Sequence, residues 1–122
     1  MDTITHNELT QKMVNNEDFV LVNVLPEEYF AQAHIPGSAN VPYEASDFIE
    51  KIETIAGSKD KQVIVYCANH MCTASDDAAK KLEESGFSKV VDFAGGTQEW
   101  QESGKPLQSK MSGGCGSSCG CG

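Results

Sequence analysis

Val63-Ile64-Val65-Tyr66-Cys67-Ala68-Asn69-His70-Met71-Cys72-Thr73-Ala74-Ser75 is the stretch on which the fold turns. An apolar, largely β-branched run predicts a buried strand, and it stops at a cysteine. A short loop follows, and Thr73 to about Ser85 then predicts a helix with Gly86 at its C-cap. A thiol between a strand end and a helix N-terminus is placed to react as a thiolate. Turn N–H groups and the positive end of the helix dipole both favour the anion. In an open α/β sheet the ligand crevice also lies at the carboxyl ends of the strands. A buried structural cysteine at a strand end is the competing reading of Cys67 taken alone.

Upstream, Thr5 and Glu8 form a capping box for a first helix that buries Leu9 and Met13 and ends at Asn15-Asn16. Phe19 to Val24 predicts a buried strand, and Pro26 opens a short helix through Phe30. Ile35-Pro36-Gly37-Ser38 predicts a turn and Ala39 to Pro42 an extended segment. A helix opening near Ser46 carries the stripe Phe48, Ile49, Ile52, Ile55 and Ala56 and stops at Gly57. Downstream, Val90 to Phe93 predicts a strand, and Gly95-Gly96 a tight turn into a helix through Trp100. Strands alternating with helices predict an α/β fold, a doubly wound and mainly parallel sheet with helices on both faces.

The 122 residues suffice for one domain with a modest core. We place that domain at 1–107 and a flexible Gly/Ser/Cys-rich tail at 108–122, because the tail has almost no apolar content to offset its ordering entropy. The net charge of -9 argues against nucleic acid as a partner. No run spans a bilayer, and the N-terminus lacks the basic and apolar segments of a signal peptide, so a cytoplasmic location without membrane partners is expected. Five cysteines, two in the 67–72 loop and three at Cys115, Cys119 and Cys121, cluster too tightly for a disulfide framework. In a reducing compartment such clusters suggest redox chemistry or soft-metal binding.

Three stretches in the same order resemble the rhodanese-like (sulfurtransferase) domain family, single-domain type. They are VLVNVLPEEYFAQAHIPGSANVP, VIVYC and GFSKVVDFAGGTQEWQESGKPL. The resemblance implies a rhodanese-type sulfurtransferase in which Cys67 is the nucleophile and carries sulfane sulfur as a persulfide. Its partners would be a small-molecule or protein sulfur donor and a thiol acceptor. The anionic terminal sulfur needs a cradle of donors, and the loop Ala68, Asn69, His70, Met71 and Thr73 is the expected substrate-binding segment. His34 is expected to lock the Pro36-Gly37 turn, and Trp100 to belong to the core.

The chain departs from the family pattern at three places. Asn23 stands where the family usually has Asp, and Leu25 and Cys72 where it has Arg. Without those guanidinium groups thiosulfate:cyanide transfer is expected to be weak, and thiol-bound sulfur or polysulfide is favoured. Cys72 is expected as an auxiliary thiol that could resolve a Cys67 persulfide by forming a disulfide. No cofactor is required. An alternative of another class is a soft-metal, metalloid or thiol-redox module using Cys72 with Cys115, Cys119 and Cys121. A flexible linker of about ten residues spans about 17 Å, enough for the tail to reach a nearby loop. A catalytically inactive docking domain is the third reading.

Overall fold

The computed structural model describes residues 2–68, 73–105 and 107. Ten elements alternate along the chain: β1 (Asp2–Thr3), α1 (His6–Val14), β2 (Phe19–Asn23), α2 (Glu27–Gln32), β3 (Ala39–Asn40), α3 (Phe48–Ala56), β4 (Gln62–Tyr66), α4 (Ala74–Glu84), β5 (Val90–Phe93) and α5 (Gly96–Glu102). The strands form one sheet in the order β1-β5-β4-β2-β3. Every pair is parallel, with Val22 opposite Val65 and Tyr66 opposite Phe93. The chain leaves β2 for the β3 edge and then returns to the other side of β2 as β4. That reversal makes the β2–β4 seam a topological switch point, where the helices leave a crevice above the strand ends.

Side-chain alternation divides the core into two layers. Val22, Val63, Val65 and Cys67 pack on one face with Phe48 and Ile52 of α3 and Ala78, Ala79 and Leu82 of α4. Leu21, Ile64 and Tyr66 pack on the other with Leu9 of α1 and Trp100 of α5. Both faces of β4 are therefore covered, which explains why its sequence reads as a continuous apolar run.

The helix boundaries follow their caps. Thr5 and Glu8 make the reciprocal capping box of α1. Gly57 ends α3 in the left-handed region at φ 87°, where a side chain would be strained. Helix α4 begins at Ala74 with Thr73 as its N-cap and ends with Ser85 as its C-cap. Three details differ from the sequence reading. The extended segment after the 35–38 turn pairs only at Ala39–Asn40. Ile55 is 45% exposed and lies off the buried stripe, which Phe48 and Ile52 carry. Strand β1 was unanticipated because its two residues become a strand only by pairing with Val91 and Asp92.

Tyr66 fastens the carboxyl end of β4. Its hydroxyl accepts the Ile35 N–H at 3.0 Å and lies 2.7 Å from Ser38 Oγ, which itself donates to the Ile35 carbonyl. Burial pushes the phenol above its ordinary range, partly offset by Ser38, Asn23 and the Ile35 N–H. Because the folded form holds this proton more tightly, the contribution is complete below about pH 10 and falls as pH rises through the higher folded value. Tyr66→Phe is expected to cost about 1–3 kcal/mol at neutral pH, since it leaves the buried Ile35 N–H without its acceptor. It should also flatten the loss of stability above about pH 10. Chemical denaturation at several alkaline pH values measures both effects.

Candidate active site

Cys67 is the first residue beyond β4, at the switch point. Strand alternation turns its side chain to the α3/α4 face, where it is fully buried. There Sγ donates to Ser75 Oγ at 3.5 Å. Ser75 belongs to the first turn of α4 and is itself buried. It is a site residue that the sequence reading passed over. The available signal was its spacing: Ser75, Ala78, Ala79 and Leu82 fall at i, i+3, i+4 and i+7, so a hydroxyl sits on the buried face of α4.

The main chain at Cys67 is held from the opposite side by α5. Thr97 N–H donates to the Cys67 carbonyl at 3.1 Å, and Gln98 N–H to the Ala68 carbonyl at 2.8 Å. Thr97 Oγ1 adds a second bond to the Ala68 carbonyl at 3.2 Å. These N–H groups belong to the first turn of α5, where helical amides lack partners within the helix. The first turn of α5 thus fixes two successive peptide units just after the thiol.

Such an approach requires glycine. Gly96 has φ 59°, and a Cβ there would stand 2.1 Å from the Cys67 carbonyl oxygen. Gly95 is constrained differently, because a Cβ would meet the Glu99 side chain. Glu99 Oε2 in turn accepts the His6 N–H at 2.7 Å, tying α5 to the start of α1. The glycine pair was expected for backbone geometry, and the structure gives its reason.

The residues after β2 form the neighbouring wall. Val24 N–H donates to the Tyr66 carbonyl at 3.0 Å, extending the β2–β4 ladder to the edge of the site. Asn23 is fully buried, and its Oδ1 accepts the Leu25 N–H at 2.9 Å, a local turn that sets the course of Leu25. Asn40 Nδ2 donates to the carbonyls of Asn23 and Leu25 at 3.2 and 2.9 Å. A cavity of about 260 Å³ opens here, lined by Val24, Leu25, Pro26, Pro42, Tyr43, Glu44 and Ala74.

Other expected residues have mixed outcomes. Ala68 lies at the site through its carbonyl, and Thr73 is exposed at the start of α4 without a side-chain cap bond. His34 does not hold the Pro36-Gly37 turn. Its Nδ1 lies 2.9 Å from the Phe30 carbonyl and its ring stacks on Phe30 at 3.9 Å, so it closes the end of α2. The turn is held by Ser38, whose N–H and hydroxyl both donate to the Ile35 carbonyl. Trp100 is buried in the core as expected. Asn69, His70, Met71, Cys72, Cys115, Cys119 and Cys121 lie outside the described residues. Among the described residues no group of three or more His, Cys, Asp or Glu could hold a metal ion. Among them, too, no helix is long and apolar enough to cross a membrane.

A parallel, doubly wound domain with a thiol at the end of its central strand and helix amides fixing the following peptides is a scaffold for cysteine chemistry. The Rhodanese-like domain model matches residues 5–103, and the chain belongs to that family. A sulfurtransferase of Allochromatium vinosum is 26% identical over 107 residues, covering 88% of this chain and 94% of that protein. The HTH-type transcriptional regulator Rv0324 of Mycobacterium tuberculosis is 29% identical over 106 residues, covering 87% of this chain but 44% of the regulator. Among solved structures, a thiosulfate sulfurtransferase of Pseudomonas aeruginosa superposes with a TM-score of 0.79, with 26% identity over 89% of this chain and 20% of that one. The chain thus spans less than half the length of two of these relatives.

Proposed function

We propose that this domain is a sulfurtransferase that carries sulfane sulfur as a persulfide on Cys67 and draws it from thiol-bound donors in preference to thiosulfate. The observation that carries the reading is the position of Cys67. It follows the central strand at the switch point, with Ser75 Oγ on its sulfur and the α5 amides on the carbonyls of residues 67 and 68. The name of the Allochromatium vinosum relative, whose length the chain nearly covers, agrees with it.

In the loading step the Cys67 thiolate attacks the outer sulfur of a persulfide R–S–SH. The Cys67 Sγ–S bond forms as the donor S–S bond breaks. The thiolate R–S⁻ leaves, and the transferred sulfur keeps its proton until solvent or the leaving thiolate takes it. In the second step an acceptor thiolate attacks the terminal sulfur and Cys67 departs as the thiolate. No external oxidant or reductant is consumed. Ser75 serves the resting thiol as acceptor and, with its hydroxyl turned, is a donor to the departing Cys67 thiolate.

The donor preference follows from the walls. Thiosulfate carries two negative charges, and the cavity next to the residues that flank Cys67 has Leu25 on its wall and Glu44 at its rim, with no cation among its described lining residues. Hydrogen bonds to charged groups contribute about 1.5–3 kcal/mol each, so one missing clamp costs roughly ten- to hundredfold. Sulfur transfer to a thiol acceptor should therefore run at least about tenfold faster from cysteine persulfide than from thiosulfate, measured as kcat/KM. Equal or faster transfer from thiosulfate would refute the preference.

A further inference from the structure

The cavity lined by Val24 and Ala74, residues that border the neighbours of Cys67, has a chemistry of its own. Val24, Leu25, Pro26, Pro42, Tyr43 and Ala74 supply apolar walls, and Glu44 stands exposed at the rim. It is joined to the thiol from two directions. Val24 is hydrogen-bonded to Tyr66, the residue before Cys67, and Ala74 precedes Ser75, on which Cys67 Sγ rests. Leu25, Tyr43 and Ala74 pack against the same core cluster that contains Cys67.

We infer that this cavity is the subsite for the organic group of the sulfur donor, and that it selects a small, apolar, uncharged alkyl or aryl persulfide. The inference rests on the function proposed above and names its substrate class. Size argues for a small group: at about 260 Å³ the cavity falls below the roughly 300–1,000 Å³ of pockets that enclose drug-sized ligands. Charge argues for a neutral one. The cation nearest to the walls in the contacts described is Lys81, whose Nζ lies 5.5 Å from the Tyr43 ring centre and 5.6 Å from that of Phe48. Lys81 is thus held over aromatic faces, where it favours the rings electrostatically. Glu44, on the cavity itself, repels carboxylates at the mouth. A donor such as glutathione persulfide, with two carboxylates and a tripeptide body, fits neither the volume nor the field.

The chemistry is the loading step with R fixed as an apolar group. The S–S bond of R–S–SH breaks, the Cys67 Sγ–S bond forms, and R–S⁻ is released into the apolar walls and then protonated from solvent.

Benzyl persulfide, glutathione persulfide and thiosulfate separate the possibilities. The expected kcat/KM for benzyl persulfide exceeds that for glutathione persulfide by about tenfold or more. Leu25→Arg should reduce that ratio by about tenfold, and Leu25→Gln, of similar length, should shift it in the same direction. Glutathione persulfide used as well as or better than benzyl persulfide would overturn the inference. So would a preference for anionic donors that disappears in Lys81→Ala, since Lys81 would then be the recognising group. A second measurement needs no turnover: titration of the wild-type protein with benzyl mercaptan, followed by amide NMR shifts. Shifts centred on Leu25, Tyr43 and Ala74 are expected. If they occur while no donor loads Cys67, the cavity binds apolar thiols but the sulfur-transfer reading fails; if these amides do not move, the subsite fails.

Discussion

Replacing Gly96 with alanine is expected to destabilise the domain by about 2–4 kcal/mol, because the substitution meets a steric and a conformational obstacle together. At φ 59° the backbone is left-handed, and the added Cβ would stand 2.1 Å from the Cys67 carbonyl oxygen. Relief requires α5 to withdraw, which breaks the Thr97 and Gln98 bonds to the carbonyls of Cys67 and Ala68. For a domain of about 100 residues this corresponds to a fall in Tm of roughly 10–20 °C. Thermal unfolding followed by circular dichroism measures it. Gly104→Ala is the control, since it also has positive φ, 89°, but its Cβ would meet nothing within 4 Å. It should lose only the conformational part, about 1–2 kcal/mol. Equal losses in the two variants would show that the approach of α5 to Cys67 is not what requires Gly96.

Cys67→Ser should abolish sulfur loading while leaving the fold intact. Serine has nearly the same shape and can keep a hydrogen bond with Ser75, so the cost in stability is about 1 kcal/mol. The hydroxyl is a far weaker nucleophile toward sulfur than a thiolate. Transfer from any persulfide should fall by at least about three orders of magnitude in kcat/KM. Ser75→Ala is the informative companion. It removes the hydroxyl on Sγ and should slow the release of sulfur from Cys67 by about tenfold while leaving Cys67 able to load. If Cys67→Ser still transfers sulfur at the wild-type rate, the nucleophile lies elsewhere in the chain.

How much of this was legible in the sequence depended on how local its cause is. The strand ending at Cys67 was read correctly because burial on both faces leaves a continuous β-branched run. The α1 cap and the stop at Gly57 were readable because each involves residues within a single turn. Strand β1 was not, because its two residues owe their conformation to β5 at the other end of the chain. The grip of Thr97 on the Ala68 carbonyl spans 29 residues and leaves no periodic trace, although the glycine pair hinted at a close approach. Ser75 was visible in the spacing of α4 but became chemically meaningful only when the crossover brought α4 over Cys67. The loss of positive charge at Leu25 was noted in one dimension; that it leaves an apolar cavity needs Pro42 and Tyr43 from the connection after β3.

The central claim is that Cys67 carries the sulfur, and mass spectrometry tests it most directly. Wild-type protein incubated with cysteine persulfide, then washed and digested without reductant, should gain about 32 Da per sulfur atom on the peptide containing Cys67. Addition of a thiol acceptor should remove that mass in a single step. Sulfur found only on peptides from the Cys115 to Cys121 tail, or on none, would contradict the account.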